Sequence, residues 1–189
     1  MTYNQLTFPK VVNRHLTKLS PWVSITTKDV LWNKDNDIKT YHSLKQDDYV
    51  TMFAIRVDGL IPLVRQFRPA IEGFSYEFPG GLIDRDSDPE SIATSETFEE
   101  TGHKVVGKPY FLGCLYPDTG RLENRFWTYF AEVTIDKDAA WSPEENIDIV
   151  MVTRAELKEM INISEFNHAL HLALISLAIT KEVFSWKIV

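Results

Sequence analysis

The sequence predicts an α+β fold, and three observations carry it. Short apolar runs with strand-like spacing recur on both sides of residue 80, broken by turn residues. One well-delimited helix interrupts them between Asp88 and Gly102. The most apolar run, Ala169 to Ile179, reads as a buried helix. The order of hairpin, strands, central helix, strands and terminal helices suits a mixed sheet with helices on both faces.

Residues 1 to about 20 show no clear period. Trp22 to Thr27 alternates and is β-branched, Asn33 to Asp37 is a polar turn, and Ile38 to Leu44 resumes the extended pattern. The pair reads as a hairpin. Lys45 to Asp48 forms a boundary, which divides the chain into a 1–47 hairpin region and a 48–189 domain. The hairpin region is too small for a core of its own and must pack on something.

Tyr49 to Val57 and Leu60 to Phe67 are apolar runs split by Asp58-Gly59, a strong hairpin signal. Phe74 to Phe78 is a third extended piece leading into Pro79-Gly80-Gly81. Pro109 to Tyr116 and Arg125 to Val133 read as strands around the turn Pro117 to Gly120, and Ile147 to Val152 as a last strand. Ala155 to Ile161 and Glu165 to Ile179 read as helices, with Cys114 as a core residue of its strand.

The stretch from Gly80 to His103 organises the rest. Asp88 is a good N-cap, Pro89 fits the first helical position, and Gly102 fits the left-handed C-terminal stop. Glu96, Glu99 and Glu100 share one face at spacings of three and four, with no Lys or Arg inside the helix. The alternatives are a solvated acidic face and a cation site. Carboxylates beside a glycine turn that offers a carbonyl suit a hard cation, Mg²⁺ or Mn²⁺, rather than Zn²⁺.

At these residues the chain resembles the Nudix hydrolases, whose signature is G-x5-E-x7-R-E-U-x-E-E-x-G-U with U bulky and aliphatic. Gly81, Glu96, Glu99, Glu100 and Gly102 fall on its G, E, EE and G positions. Ser87 and Ser95 stand where the signature has Glu and Arg, and Thr97 and His103 replace bulky positions. The missing Glu and Arg form a structural ion pair in this family, and they are absent together. The runs Val64 to Pro69 and Glu77 to Asp84, with Pro117 beyond, resemble the ADP-ribose pyrophosphatase branch. The resemblance covers roughly residues 20 to 160.

That resemblance implies an α/β/α sandwich with a small N-terminal antiparallel sheet. It implies metal-dependent hydrolysis of ADP-ribose, or of a related nucleoside diphosphate sugar, to a nucleoside monophosphate and a sugar phosphate. It implies that Glu96, Glu100 and the Gly80 carbonyl bind metal, with Glu99 a ligand or an orienting group. Arg68 takes the position of a phosphate-gripping arginine, against the alternative of a surface Arg at a strand end. Glu77 orients metal-bound water or caps the loop. The general base would be Glu145, or Glu144 if the loop register is one residue off, against the alternative of two solvated loop acids. Trp22 and Tyr41 fall where aromatics stack on adenine, with hairpin packing as the alternative. Members of this branch form homodimers that exchange N-terminal sheets. A second reading is a degenerate domain that binds a nucleotide or a protein without catalysis. A third keeps the chemistry and changes the nucleoside diphosphate conjugate. His168 and His171 have HxxH spacing, read as ordinary helix positions.

Composition narrows the partners. Twenty Lys and Arg against 27 Asp and Glu give −7, a poor balance for a nucleic-acid binder. A small phosphorylated substrate is compatible with it, since a bound metal inverts the local sign. One cysteine, Cys114, permits no intrachain disulfide and suits a reducing cytoplasm. The first residues lack a signal-peptide run, and Ala169 to Ile179 is too short to span a bilayer, so no membrane partner is expected.

Overall fold

The structure is a computed structural model that describes residues 9–33, 37–83, 87–135, 141–142 and 145–187. In chain order the strands are β1 (Lys10–Lys18), β2 (Ser24–Leu31), β3 (Ile38–Lys45), β4 (Tyr49–Arg56), β5 (Ile61–Arg68), β6 (Gly73–Glu77) and β7 (Gly80–Leu82). Helix α1 (Pro89–Thr101) follows, then β8 (His103–Val105), β9 (Tyr110–Leu115), β10 (Phe126–Ile135) and β11 (Ile147–Val152). The chain closes with α2 (Arg154–Asn162) and α3 (Ala169–Thr180). It divides into two compact units.

The first unit comprises the chain through Asp47 together with Tyr116–Arg125. Its sheet has the order β1-β2-β3, antiparallel throughout. The β2–β3 hairpin is as expected, but β1 is a strand where the sequence shows no period. All nine of its side chains are exposed, so no core-facing stripe exists to create an alternation. The backbone ladder to β2 defines it, with a cross-strand bond from Asn13 Nδ2 to Asp29 Oδ2 at 3.1 Å. Tyr116–Arg125 does more than turn the chain. Arg121 O accepts from Leu44 N–H at 2.7 Å, and Glu123 N–H donates to Leu44 O at 3.0 Å. Ser43 Oγ donates to Glu123 at 2.6 Å, and Lys28 pairs with the same carboxylate. Among the described residues of this unit, none is a buried hydrophobic.

The second unit comprises Asp48–Leu115 and the chain from Phe126. Its larger sheet runs β7-β4-β10-β8, with β9 also on β10 and β4 parallel to β10. A second, antiparallel sheet has the order β11-β5-β6. The alternation of β4 explains the layering. Val50, Met52 and Ala54 pack with Ile92 and Ala93 of α1, while Phe53 and Ile55 join Leu157 of α2 and Leu174, Ile175 and Ala178 of α3. A strand buried on both faces needs helices on both sides. Among the described residues, no helix is long and apolar enough to cross a membrane.

Three expectations are corrected. Asp58-Gly59 does not close a hairpin ladder. Arg56 N–H donates to Leu60 O at 2.7 Å and Gly59 has φ +92°, so the chain turns as predicted. It then leaves one sheet for the other, because β4 pairs with β7 and β10 while β5 pairs with β6 and β11. A local turn signal sets the reversal, not the pairing. The last helix starts at Ala169 rather than Glu165. Glu165 and Phe166 both donate to Met160 O, in a turn that drives Phe166 into the core. Cys114 is half-buried rather than a core residue.

Candidate active site

Helix α1 has the ends its sequence dictates. The Asp88 side chain accepts from Ser91 N–H at 3.0 Å, and Gly102, at φ 69°, donates its N–H to Phe98 O at 2.8 Å. Its buried side carries Ile92, Ala93, Thr97, Glu100 and Thr101. Thr97, at a bulky position of the signature, is fully buried and donates to Ala93 O at 2.7 Å. Its polar atom is thus satisfied without a partner outside the helix.

The helix lies against the glycine turn that opens β7. Gly80 stands opposite Thr51 of β4 and Gly81 opposite Val50. A Cβ on Gly80 would lie 2.2 Å from Val50 O, and one on Gly81 would lie 2.8 Å from Glu96 Cδ. Only glycine permits this approach of strand, turn and helix. Glu100 is buried, and its Oε2 accepts from Gly80 N–H at 2.8 Å. Glu96 and Glu100 therefore converge on the turn from adjacent helix turns, while Glu99 is exposed. The Glu99 carbonyl accepts from Trp141 Nε1–H at 2.9 Å, and the indole covers Gly102, where a Cβ would come within 2.8 Å of Trp141 Cδ2.

Ser87 is exposed, and Ser95 Oγ donates to Ser91 O at 3.1 Å on its own helix. No charge is stranded by the double replacement.

Arg68 ends β5 and grips Glu77 at the end of β6, with Nε and Nη2 donating to the two carboxylate oxygens at 2.8 and 2.6 Å. Burial alone would raise the Glu77 carboxyl, but the Arg68 hydrogen bonds and charge hold it below its ordinary value. The same contact raises Arg68. Behind Glu77, nitrogen or oxygen atoms of Glu77, His168 and His171 lie within 4.8 Å of one another. His171 is buried, and its Nδ1 accepts from Phe78 N–H at 2.9 Å. Burial lowers the His171 pKa to about 3, so the ring is neutral.

Glu145 is exposed in the turn before β11, and Glu144 lies outside the described residues. Trp22 and Tyr41 are exposed on the first unit. Tyr41 faces Trp32, with ring centroids 6.1 Å apart. The register sets Tyr41 opposite Lys28 and Lys45 opposite Ser24, so Trp22 and Tyr41 are more than four residues, over ~13 Å, apart along the ladder. They do not sandwich one ring within a single copy. A cleft of about 430 Å³ in the first unit, lined by Lys28, Tyr116, Thr119, Leu122 and Glu123, contains none of the expected site residues.

The structure thus brings Gly80, Glu96 and Glu100 together, with Arg68 and Glu77 paired beside them in the second unit. Sequence reasoning missed two anchors, Trp141 and His171. HxxH was the visible signal for His171, but its partner is a backbone amide 93 residues away.

Residues 45–171 match the family model described as NUDIX domain. The chain is 24% identical over 124 residues to an ADP-ribose pyrophosphatase of Bacillus subtilis, a match covering 65% of this chain and 66% of that one. It is 48% identical over 79 residues to an ADP-sugar pyrophosphatase of Mus musculus, covering 41% and 34%. The matches thus span less than two thirds of these relatives' own lengths. A crystal structure of an ADP compounds hydrolase superposes with a TM-score of 0.77 at 18% identity, covering 94% of this chain and 96% of that one.

Proposed function

The chain belongs to the Nudix family, and from that premise we propose that it hydrolyses the pyrophosphate bond of ADP-ribose or a related nucleoside diphosphate sugar. The observation that carries the reading is the seating of Glu96 and Glu100 on the Gly80-Gly81 turn. The names of the bacterial and murine relatives support the substrate class.

The donor set of this turn and helix is all oxygen, and it fits Mg²⁺ or Mn²⁺. Glu96, Glu100 and the Gly80 carbonyl would hold the cation, with Glu99 as a further ligand or an orienting group. Bound there, it would supply charge to polarise the phosphoryl group and acidify water. Glu145, or Glu144, accepts the proton of the attacking water. Arg68 spends two of its five donors on Glu77 and offers the rest to phosphate oxygens. Glu77 keeps that guanidinium in place. Water adds to phosphorus, the bridging P–O bond breaks, and a nucleoside monophosphate and a sugar phosphate leave.

The active form is a cytoplasmic homodimer. The 1–47 region, without a buried hydrophobic among its described residues, packs on a second copy and exchanges sheets with it. Two copies also provide for an adenine sandwich, since Trp22 and Tyr41 of one copy are too far apart to form it.

The test is release of phosphate, coupled through a phosphatase, from ADP-ribose, nucleoside diphosphate hexoses and dinucleoside polyphosphates in Mg²⁺. Turnover of ADP-ribose or a nucleoside diphosphate hexose is the expected result. The absence of an ion pair at Ser87 and Ser95 favours one other reading, a domain that binds such nucleotides without cleaving them. Calorimetric binding with no turnover of any of these substrates would establish that second reading and sink the first.

A further inference from the structure

The turn that carries the Gly80 carbonyl is tied down at successive points from different elements. Phe78 N–H donates to His171 Nδ1 of α3 at 2.9 Å, Met52 N–H of β4 donates to Pro79 O at 3.0 Å, and Gly80 N–H donates to Glu100 Oε2 of α1 at 2.8 Å. Pro79 has no N–H to place, so every amide donor from Phe78 to Gly80 is assigned. The imidazole is also held by stacking, on Phe78 at a centroid distance of 5.7 Å and on Phe126 at 6.3 Å.

The hydrogen bond fixes the tautomer. A backbone N–H only donates, so Nδ1 presents a lone pair, and the proton of the neutral ring sits on Nε2. This decides what the Glu77–His168–His171 cluster is. Two imidazoles and a carboxylate within 4.8 Å have the donor types of a zinc site. Binding a metal through Nε2 would require the proton to move to Nδ1, where it would meet the Phe78 N–H head-on. Both Glu77 oxygens are already acceptors for Arg68.

We propose that His171 is a positioning residue: as a neutral acceptor from α3 it locks the Phe78 amide and so sets the glycine turn on the carboxylates of α1. It supplies from the far side of the sheet the restraint on the site that Ser87 and Ser95 do not supply by an ion pair. The role in turnover rests on the pyrophosphatase reading; the lock itself does not.

The experiment separates the two. In the wild-type chain, nitrogen-detected NMR of the histidines should show His171 with a bare Nδ1 and a protonated Nε2. The Nδ1–H tautomer would overturn the proposal whatever the chain hydrolyses. Amide exchange should find Phe78 protected in the wild type, about tenfold less protected in His171→Phe, and restored in His171→Asn, whose Oδ1 reaches the place of Nδ1. Unchanged protection in His171→Phe would also overturn it. If His171→Phe does not fold, the wild-type tautomer and His171→Asn still decide. In turnover of ADP-ribose, His171→Phe should lower kcat about tenfold and raise the Mg²⁺ concentration for half-activation, with KM for substrate little changed. His171→Asn should recover most of it. Zinc titrated alone should bind wild type and His171→Asn alike; one-to-one binding lost in His171→Asn would make the cluster a metal centre and refute the lock.

Discussion

Strand β1 exposes all nine of its side chains, Val11, Val12 and Leu16 among them, whereas β4 buries six of its eight between two cores. Both are paired strands, β4 in unbroken register with β10 and β1 with one irregularity between Val11 and Asn13. The difference is what holds them. Strand β4 is fixed by side chains packed on both faces, and mutating any of them opens a cavity. Strand β1 is fixed by its backbone ladder, and its apolar side chains remain available to something outside the chain. Glu96 and Glu100 converge where packing leaves no room for a Cβ, around Gly80 and Gly81.

The largest expected effect breaks the chemistry and leaves the packing. Glu100→Gln keeps an oxygen that accepts from Gly80 N–H and removes one charge, so turnover of ADP-ribose should fall by about 10²-fold or more with little change in Tm. A near-normal rate at saturating Mg²⁺ would remove Glu100 from the metal site. Next, deleting residues 1–47 should leave the second unit folded by circular dichroism, but as a monomer that binds substrate poorly. Sedimentation and a binding isotherm check this, and a soluble, active truncated monomer would refute the exchanged sheet. Trp22→Ala should raise KM for ADP-ribose about tenfold with kcat nearly unchanged, since stacking on a base is worth ~1–3 kcal/mol in ground and transition states alike. Equal loss with a substrate that lacks a base would make Trp22 structural.

Acid separates the two units by window. His171 has a folded pKa of about 3, below the unfolded value of about 6.5. The unfolded chain therefore takes up the proton first, and stability of the second unit falls as pH drops from about 6.5 to about 3, by up to ~1.4 kcal/mol per unit. In the first unit, burial opposes but Lys28 and Ser43 outweigh it, holding Glu123 at about 2. Its contribution is present above the ordinary value of 4.5 and is lost only as pH falls from there to about 2. Thermal melts from pH 7 to 4 should thus show the second unit weakening first, and a uniform loss would contradict the assignment. The smallest effect concerns the vacant ion pair. Ser87→Glu with Ser95→Arg should exceed the sum of the single changes by about 0.5 kcal/mol or more in a melt cycle. Strict additivity would mean the two side chains do not meet.

Local chemistry was legible wherever a few adjacent residues decide it. Asp88, Pro89 and Gly102 bound α1 as their capping preferences require, and Glu96 and Glu100 reach the same turn because an i,i+4 spacing admits no other face. The two glycines were readable as a turn, though their reason for being glycine, contact with Val50 O and Glu96, lies in the packing. Asp58-Gly59 was readable as a reversal and misleading as a hairpin, because the partner of β4 is chosen by burial on both faces.

The sequence by itself determined the capped acidic helix, the glycine turn before it and the apolar helix that closes the chain, since each rests on contacts spanning a few residues. Tertiary structure decided which strands pair, that Lys10–Lys18 is a strand at all, and that His171 serves a backbone amide 93 residues away. An exposed strand writes no period into its sequence, and a backbone N–H has no letter of its own. Both are visible only when the partner that satisfies them is in place.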